Sequence, residues 1–136
     1  MSAKKILVVD DSLTSLMWQR MILVQEDYQV VTAKDGREGV ASAIAARPDL
    51  ILMDVTMPNM DGIEACRAIR ANPATRDVPV VMVATKTALK LLEASADCGH
   101  DDYILKPFER SDLLAKVRRF LGHAAVPMSE PLAGAA

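Results

Sequence analysis

Short apolar runs alternate with amphipathic stretches of helical length along most of the chain, and this alternation constrains the fold more than any other feature. Three of the runs are unbroken stretches of Val, Ile, Leu and Met, as expected for strands that helices cover on both faces of a parallel sheet. The runs predict strands at residues 4–11, 28–33, 49–54, 78–84 and 102–106. The stretches that follow them predict helices near residues 13–26, 36–46, 62–71, 87–98 and 110–121. Five such repeats predict a doubly wound α/β domain with a five-stranded parallel sheet.

Individual residues mark the expected ends of several helices. Gly99 follows the fourth helix, where a left-handed residue is favoured. Ser111 or Asp112 is placed to cap the fifth helix. Pro48 is expected to close the second helix, since the residue before a proline disfavours helical geometry.

Length and composition indicate one globular domain with an aliphatic core. The chain has 136 residues, of which 51% are hydrophobic and only 4% aromatic. No apolar run is long enough to span a bilayer and no signal-peptide pattern opens the sequence, so we expect a cytoplasmic protein without a membrane partner. A net charge of −2 gives no reason to expect nucleic-acid binding. Residues 123–136 lack periodicity, and we expect them to form a flexible Ala/Pro-rich tail or linker after a domain at 1–122.

Charged residues collect at the predicted carboxyl ends of the strands, which is where function concentrates in sheets of this kind. In chain order these ends carry Asp10–Asp11, Asp54, Ala84–Thr85 and Lys106–Pro107. Three carboxylates brought together would suppress one another's ionisation unless a cation accompanied them. A hard divalent ion with oxygen ligands, Mg²⁺, suits such a set. By contrast, Cys66 and Cys98 have no zinc-site spacing, and we interpret them as buried thiols without a functional role.

These residues, together with "DVTMPNMDG" (54–62) and "DDYILKPF" (101–108), closely resemble the receiver domain of two-component response regulators, the CheY-like family. The resemblance covers about residues 4–121. It implies the flavodoxin-like strand order 2-1-3-4-5 for the sheet. It also implies a signalling switch that catalyses its own phosphorylation and dephosphorylation and is not a turnover enzyme.

Site residues follow from the resemblance position by position. Asp54 corresponds to the phosphoacceptor, and Lys106 to the lysine that pairs with the phosphoryl group. Asp10 and Asp11 correspond to the acidic pair that holds Mg²⁺ together with Asp54 and the backbone carbonyl of Thr56. The resemblance further implies a cis peptide bond at Pro107 and a loop after the third strand that is shaped by Pro58 and Gly62.

The implied partners are those of a phosphotransfer module. The donor would be a phosphohistidine on a sensor histidine kinase or a histidine phosphotransfer protein. Neither His100 nor His123 is expected to be that donor, because neither lies in a suitable helical pattern. The region of helix 4, strand 5 and helix 5 is used in the family for output or dimerisation. Here it carries Lys90, Tyr103, Lys116, Arg118 and Arg119, although a merely solvated face is the favoured interpretation of the charges.

One expected part of the switch is missing. The family places a Ser or Thr at the end of the fourth strand, coupled to an aromatic on the fifth. Ungapped counting puts Ala84 at that position, with Thr85 next to it, and Tyr103 supplies the aromatic. In one account a local bulge turns Thr85 inward as a substitute. In the other, which a buried strand's resistance to a one-residue slip favours, Thr85 points away and the contact is absent.

The first helix, residues 13–26, is apolar on nearly every side. In the register that the resemblance implies, Trp18 and Ile22 face the sheet. An outer arc, interrupted by Arg20, would then present Leu13, Leu16, Met17, Met21 and Val24 as a docking surface for the phosphodonor. The alternative is that the register is different and this arc belongs to the core.

Other functions fit the chain less well. Ala84 favours a degenerate receiver, which would bind partners without needing phosphate. A phosphatase of the haloacid dehalogenase type would require a second acid two residues after Asp54, where the chain has Thr56. Flavin binding would require a hydroxyl- and glycine-rich phosphate loop after the first strand, where the chain reads "DDSLTS".

Overall fold

The computed structural model describes residues 3–122, and its strands and helices alternate as the sequence pattern predicts. The strands are β1 Lys5–Val9, β2 Gln29–Ala33, β3 Leu50–Asp54, β4 Val80–Ala84 and β5 Asp102–Leu105. The helices are α1 Leu13–Gln25, α2 Gly36–Ala46, α3 Gly62–Ala71, α4 Lys86–Ala94 and α5 Arg110–Leu121, with a short 3-10 helix at Ala96–Cys98 before β5. The predicted tail at 123–136 lies outside the described residues.

The five strands form one parallel sheet in the order β2-β1-β3-β4-β5. The predicted fold class and strand order are therefore confirmed. The order places β1 and β3 side by side at the centre of the sheet, so the residues that follow β1 lie next to the end of β3. β4 and β5 extend the sheet on the other side of β3.

Alternating side chains of the buried strands divide the core between the two faces of the sheet, since successive residues point to opposite faces. In β1, Ile6 and Val8 pack with the buried side chains of α1 and α5, whereas Leu7 and Val9 pack with those of α2, α3 and α4. Both faces are thus closed by helices, which explains why the strands are apolar throughout. Within residues 3–122, no helix combines the length and hydropathy that a bilayer crossing needs.

The bounds of α4 and the capping of α5 differ from the sequence-based prediction. The fourth helix begins at Lys86 because the Thr85 side chain accepts a hydrogen bond from Ala88 N at 3.1 Å, and it ends at Ala94 instead of residue 98. Gly99, at φ 94°, has the left-handed geometry expected of it but follows the 3-10 helix. The cap of α5 is Glu109, not Ser111, with Asp112 completing a reciprocal capping box.

The register of α1 corrects one predicted surface residue. Leu16 is only 3% exposed and belongs to the core beneath α1, not to the outer arc. It shares this buried face with Gln19, Ile22 and Leu23, at the three- and four-residue spacing of one helix stripe. The remaining predicted residues of the arc do lie outside: Leu13, Met17, Met21 and Val24 are each at least 45% exposed. We call these four residues the α1 outer face.

Gly62 allows the start of α3 to pass directly over the end of β3. A Cβ at this position would lie 2.2 Å from the backbone oxygen of Asp54 and 2.9 Å from Met82 Cε. The Gly62 amide instead donates to Val55 O at 2.8 Å. Because Gly62 has no side chain, the start of α3 can pack directly against the end of β3 that carries Asp54.

We expect Gly62→Ala to lower the free energy of unfolding by about 1–3 kcal/mol, because backbone must move to accept the new methyl group. Gly39→Ala is the matched control. A Cβ at Gly39 meets only the Val9 side chain, at 3.0 Å, and alanine gains helix propensity, so its change should stay within about 1 kcal/mol. Urea denaturation of both variants measures the difference, and equal losses would contradict the close-approach explanation.

Candidate functional site

Asp10 and Asp54 lie at the same edge of the sheet and point to the same face. Asp10 directly follows β1, Asp54 is the last residue of β3, and both continue the alternate positions that face α1 and α5. Asp11 adds a third carboxylate from the turn before α1. Oxygen atoms of these three side chains lie within 4.8 Å of one another. Asp10 and Asp54 are buried, whereas Asp11 is exposed.

Lys106 is the cation that accompanies these acids in the described part of the chain. Its Nζ lies 3.1 Å from Asp54 Oδ2 and 3.5 Å from Asp10 Oδ2. The backbone amide of Lys106 donates to Ala84 O at 2.8 Å, which extends the pairing of β4 and β5 to this residue. Burial lowers the pKa of Lys106, but the Asp54 and Asp10 carboxylates outweigh it, so the pKa is raised and the ammonium stays charged. The Lys106–Pro107 peptide bond is cis.

The positive charge of Lys106 does not fully compensate the negative charges around Asp54. Burial raises the pKa of Asp54 from 3.8 to about 6; Lys106 opposes this shift, and the charges of Asp10 and Asp11 add to it. Ionisation of the Asp54 carboxylate is therefore disfavoured in the metal-free site. An additional cation among the three acids would relieve that strain.

The donor set fits a hard divalent cation. It consists of carboxylate oxygens alone, which Mg²⁺ prefers, and the exposed side of Asp11 leaves room for water ligands. The carbonyl of Thr56, the fourth predicted ligand, follows Asp54 by two residues. It accepts no hydrogen bond from the part of the chain that the structure describes. The residues present thus fit a magnesium site.

Asp10 is held by donors on both of its oxygens. Ser12 N donates to Oδ1 at 2.9 Å, while Gln19 Nε2 donates to Oδ2 at 3.2 Å. Our sequence analysis did not identify Gln19 as part of this site. The signal was present, because a polar residue sits three positions from both Leu16 and Ile22 on the buried stripe of α1. Ile22 is buried as predicted and Trp18 packs partly against the same cluster, but the prediction placed Leu16 outside and so left the stripe that contains Gln19 incomplete.

The predicted switch residues Ala84, Thr85 and Tyr103 differ in burial and in their contacts. Ala84 is fully buried on the face that packs against α3 and α4, and it pairs in register with Leu105, so β4 has no bulge at this point. Thr85 is exposed, and its hydroxyl caps α4. Tyr103 lies on β5, 38% exposed, with Lys116 Nζ 5.9 Å from its ring centroid. The hydroxyl of Thr85 is therefore engaged in the fold.

An open cleft of about 460 Å³ adjoins Lys106. Trp18 and Phe108 form its apolar wall, with ring centroids 5.3 Å apart. Ser12, Thr14, Ser15 and Thr85 contribute to the remaining lining. Thr85 thus borders the same cleft as Lys106 even while it caps α4.

Several charges predicted for the output region of α4, β5 and α5 are paired within the domain. Lys116 and Arg119 both contact Asp102, and burial of Asp102 is outweighed by these partners, so its pKa is lowered. Arg118 pairs with Glu26 of the segment after α1. These ion pairs favour the interpretation of a solvated, internally neutralised face for this part of the surface.

Comparison with known proteins agrees with this arrangement. Residues 6–118 match the model of the response regulator receiver domain. The transcriptional regulatory protein ResD of Bacillus subtilis is 40% identical over 121 residues, covering 89% of this chain and 49% of ResD. The response regulator ArlR of Staphylococcus saprophyticus is 38% identical, covering 86% of this chain and 52% of ArlR. The chain spans about half the length of these curated relatives.

Solved structures give the same result. CheY4 of Vibrio cholerae superposes with a TM-score of 0.82 at 35% identity, covering 88% of this chain and all of CheY4. The receiver domain of the sensor histidine kinase PA1611 of Pseudomonas aeruginosa has a TM-score of 0.81 at 34% identity, covering 89% of this chain and 99% of that domain. That structure has a magnesium ion coordinated in its active site cleft. With its sheet order, its acidic strand ends and its match over residues 6–118, this chain belongs to the response regulator receiver domain family.

Proposed function

We propose that the domain accepts a phosphoryl group on Asp54 from a histidine kinase or histidine phosphotransfer protein in a Mg²⁺-dependent reaction, and that this modification switches partner binding. The observation that carries the proposal is the grouping of Asp54 with two further carboxylates within 4.8 Å and with Lys106 at 3.1 Å. A merely structural ion pair would not need three acids around one ammonium.

Asp54 acts as the nucleophile in this proposal. One of its carboxylate oxygens forms a bond to phosphorus as the bond from phosphorus to the donor's imidazole nitrogen breaks, and the nitrogen keeps that electron pair. The product is an aspartyl phosphate. Transfer of this kind depends mainly on positioning and charge neutralisation, because the transition state is loose. Hydrolysis of the aspartyl phosphate would later return Asp54 and release phosphate.

Lys106 supplies fixed positive charge at the reacting group. Its raised pKa keeps the ammonium protonated, and its contact with Asp54 places that charge beside the oxygen that would carry the phosphoryl group. Asp10 Oδ2 lies 3.5 Å from the same Nζ and also helps to hold the ammonium.

Asp10, Asp11, Asp54 and the Thr56 carbonyl would hold the magnesium ion. When bound, the ion neutralises charge on the acids and on the phosphoryl oxygens. The raised pKa of Asp54 supports this requirement, since the metal-free site penalises the ionised nucleophile.

The α1 outer face is the proposed docking surface for the phosphodonor. The cytoplasm is the proposed location of the domain. Four exposed apolar side chains on one helix, two of them methionines, make a surface that can adapt to a partner. The region of α4, β5 and α5 remains the proposed surface for an output protein or a second copy, with Leu91, Tyr103 and Leu105 as its exposed apolar members.

A degenerate receiver is the alternative, and Ala84 is the observation that favours it. The buried Ala84 has no hydroxyl, and the hydroxyl of Thr85 caps α4. In that case the domain would bind its partners equally well without phosphate.

Mass spectrometry after incubation with Mg²⁺ and a small acyl phosphate tests the phosphoacceptor. We expect one phosphoryl group on the wild-type chain, none in Asp54→Asn, and none in the wild type with a chelator. Asp61→Asn is the matched control, because Asp61 caps α3 in the adjoining loop and asparagine caps equally well. Phosphate on Asp54→Asn would place the acceptor elsewhere, and an unmodified wild type that binds its partners would favour the degenerate receiver.

The pKa of Asp54 generates a prediction about stability in the metal-free state. Its folded value of about 6 exceeds the ordinary 3.8, so ionised Asp54 destabilises the fold above pH 6, and this cost disappears below about pH 4. Asp54→Asn should therefore be more stable than the wild type at pH 7.5, by roughly 1–3 kcal/mol at about 1.4 kcal/mol per pKa unit. The difference should vanish near pH 4. Thermal unfolding across this pH range in chelator measures it, and a constant difference would contradict the assignment.

Docking on α1 is tested by comparing two phosphodonors. Met17→Glu places a charge on the α1 outer face, so it should slow transfer from a phosphohistidine protein by about tenfold or more, which corresponds to a loss of about 1.4 kcal/mol. Phosphorylation by a small acyl phosphate should be unchanged. Leu91→Glu, an equally exposed change on α4, is the control and should spare both reactions. Equal loss with both donors in Met17→Glu would contradict docking.

A further inference from the structure

Gln19 is a polar side chain in an otherwise apolar position. It lies on the buried face of α1 between Leu16 and Ile22 and is 1% exposed. An aliphatic residue would fill this place without any polar group to satisfy. The presence of an amide therefore calls for a reason beyond packing.

The two acceptors around Gln19 fix the orientation of its amide. Nε2 lies 3.2 Å from Asp10 Oδ2 and 3.2 Å from Ser15 Oγ. Reversing the amide would place Oε1 against the Asp10 carboxylate, which offers no hydrogen to share. In the adopted orientation Oε1 is buried without a hydrogen-bond partner among the described residues. This orientation costs folding free energy, because a buried acceptor is left unsatisfied.

The Gln19 amide acts on the carboxylate of Asp10. Its Oδ1 accepts from Ser12 N, and its Oδ2 accepts from Gln19 and lies 3.5 Å from Lys106 Nζ. Lys106 is closer to Asp54, at 3.1 Å. With the amide of Gln19 on Oδ2, the carboxylate is fixed in rotation, and Lys106 is not its only donor on that oxygen.

We propose that Gln19 is a positioning residue for the cation site: it holds the Asp10 carboxylate in the orientation that receives Mg²⁺, at a cost to the stability of the metal-free fold. The inference rests on the proposed magnesium-dependent function. Partners of metal ligands typically change metal affinity by about 10–100-fold when they are removed. If the hydrogen bond from Gln19 to Asp10 had only a structural role, its loss would lower stability and leave the Mg²⁺ affinity unchanged. In the positioning role, its loss weakens Mg²⁺ binding without lowering the stability of the metal-free domain.

Gln19→Met tests the proposal, since it keeps the length of the side chain and removes the amide. We expect calorimetric titration with Mg²⁺ to give a Kd at least about tenfold weaker than that of the wild type. The Tm of the metal-free variant should be unchanged or higher. Ser15→Ala removes the other acceptor of the same amide and should leave the Kd within about twofold, and Ile22→Val controls for packing on the same helix face.

A measurement on the wild type keeps the test independent of how well the variant folds. The side-chain amide protons of Gln19 should exchange slowly with water and shift in NMR spectra during Mg²⁺ titration, unlike those of the exposed Gln25. An unchanged Kd in Gln19→Met, a lower Tm with the same Kd, or fast exchange in the wild type would overturn the positioning role. Absence of Mg²⁺ binding by the wild type would instead overturn the proposed function itself, and this role with it.

Discussion

The unequal balance of three carboxylates against one ammonium at a buried sheet edge is the constraint on which the rest of the site depends. Parallel strands bring Asp10 and Asp54 together because β1 and β3 are neighbours and end at the same edge. Burial then makes the charge of Asp54 costly, and Lys106 offsets only part of that cost. The fold thus leaves an excess of negative charge at this edge of the sheet. In the proposed function a divalent cation neutralises that excess, so that Asp54 can react with a phosphoryl group.

Several local features at the carboxyl ends of the strands keep this edge in place. The missing side chain of Gly62 lets α3 start directly against the backbone of Asp54. The Thr85 hydroxyl accepts a hydrogen bond from the first turn of α4. Ser12 caps α1 with its side chain while its amide holds Asp10. The same short segments at the carboxyl ends of the strands therefore carry both the helix starts and the acidic residues.

The repeat pattern and the residues at strand ends could be predicted from the sequence, because both follow from rules local to each strand. Unbroken aliphatic runs identify buried parallel strands, and carboxyl-end acids meet wherever those strands are neighbours. The inner face of α1 was harder. That helix is apolar all around, so hydrophobicity gave no stripe by which to choose between Trp18 and Leu16 as the buried residue. The error placed Leu16 outside and hid Gln19. The capping role of Thr85 also depended on where α4 began, which sequence periodicity locates only approximately.

The geometry of α1 joins features that the sequence presents separately. Within one helix, Gln19 points inward to Asp10 while Met17 and Met21, two residues to either side, point outward to solvent. A helix is a rigid element over this distance, and its backbone hydrogen bonds fix the two faces relative to one another. A partner seated on the α1 outer face would therefore lie about one helix diameter from the carboxylate network. The all-round apolar character that obscured the helix register thus reflects one face in the core and a second apolar face that is exposed, and this second face is the one proposed for docking.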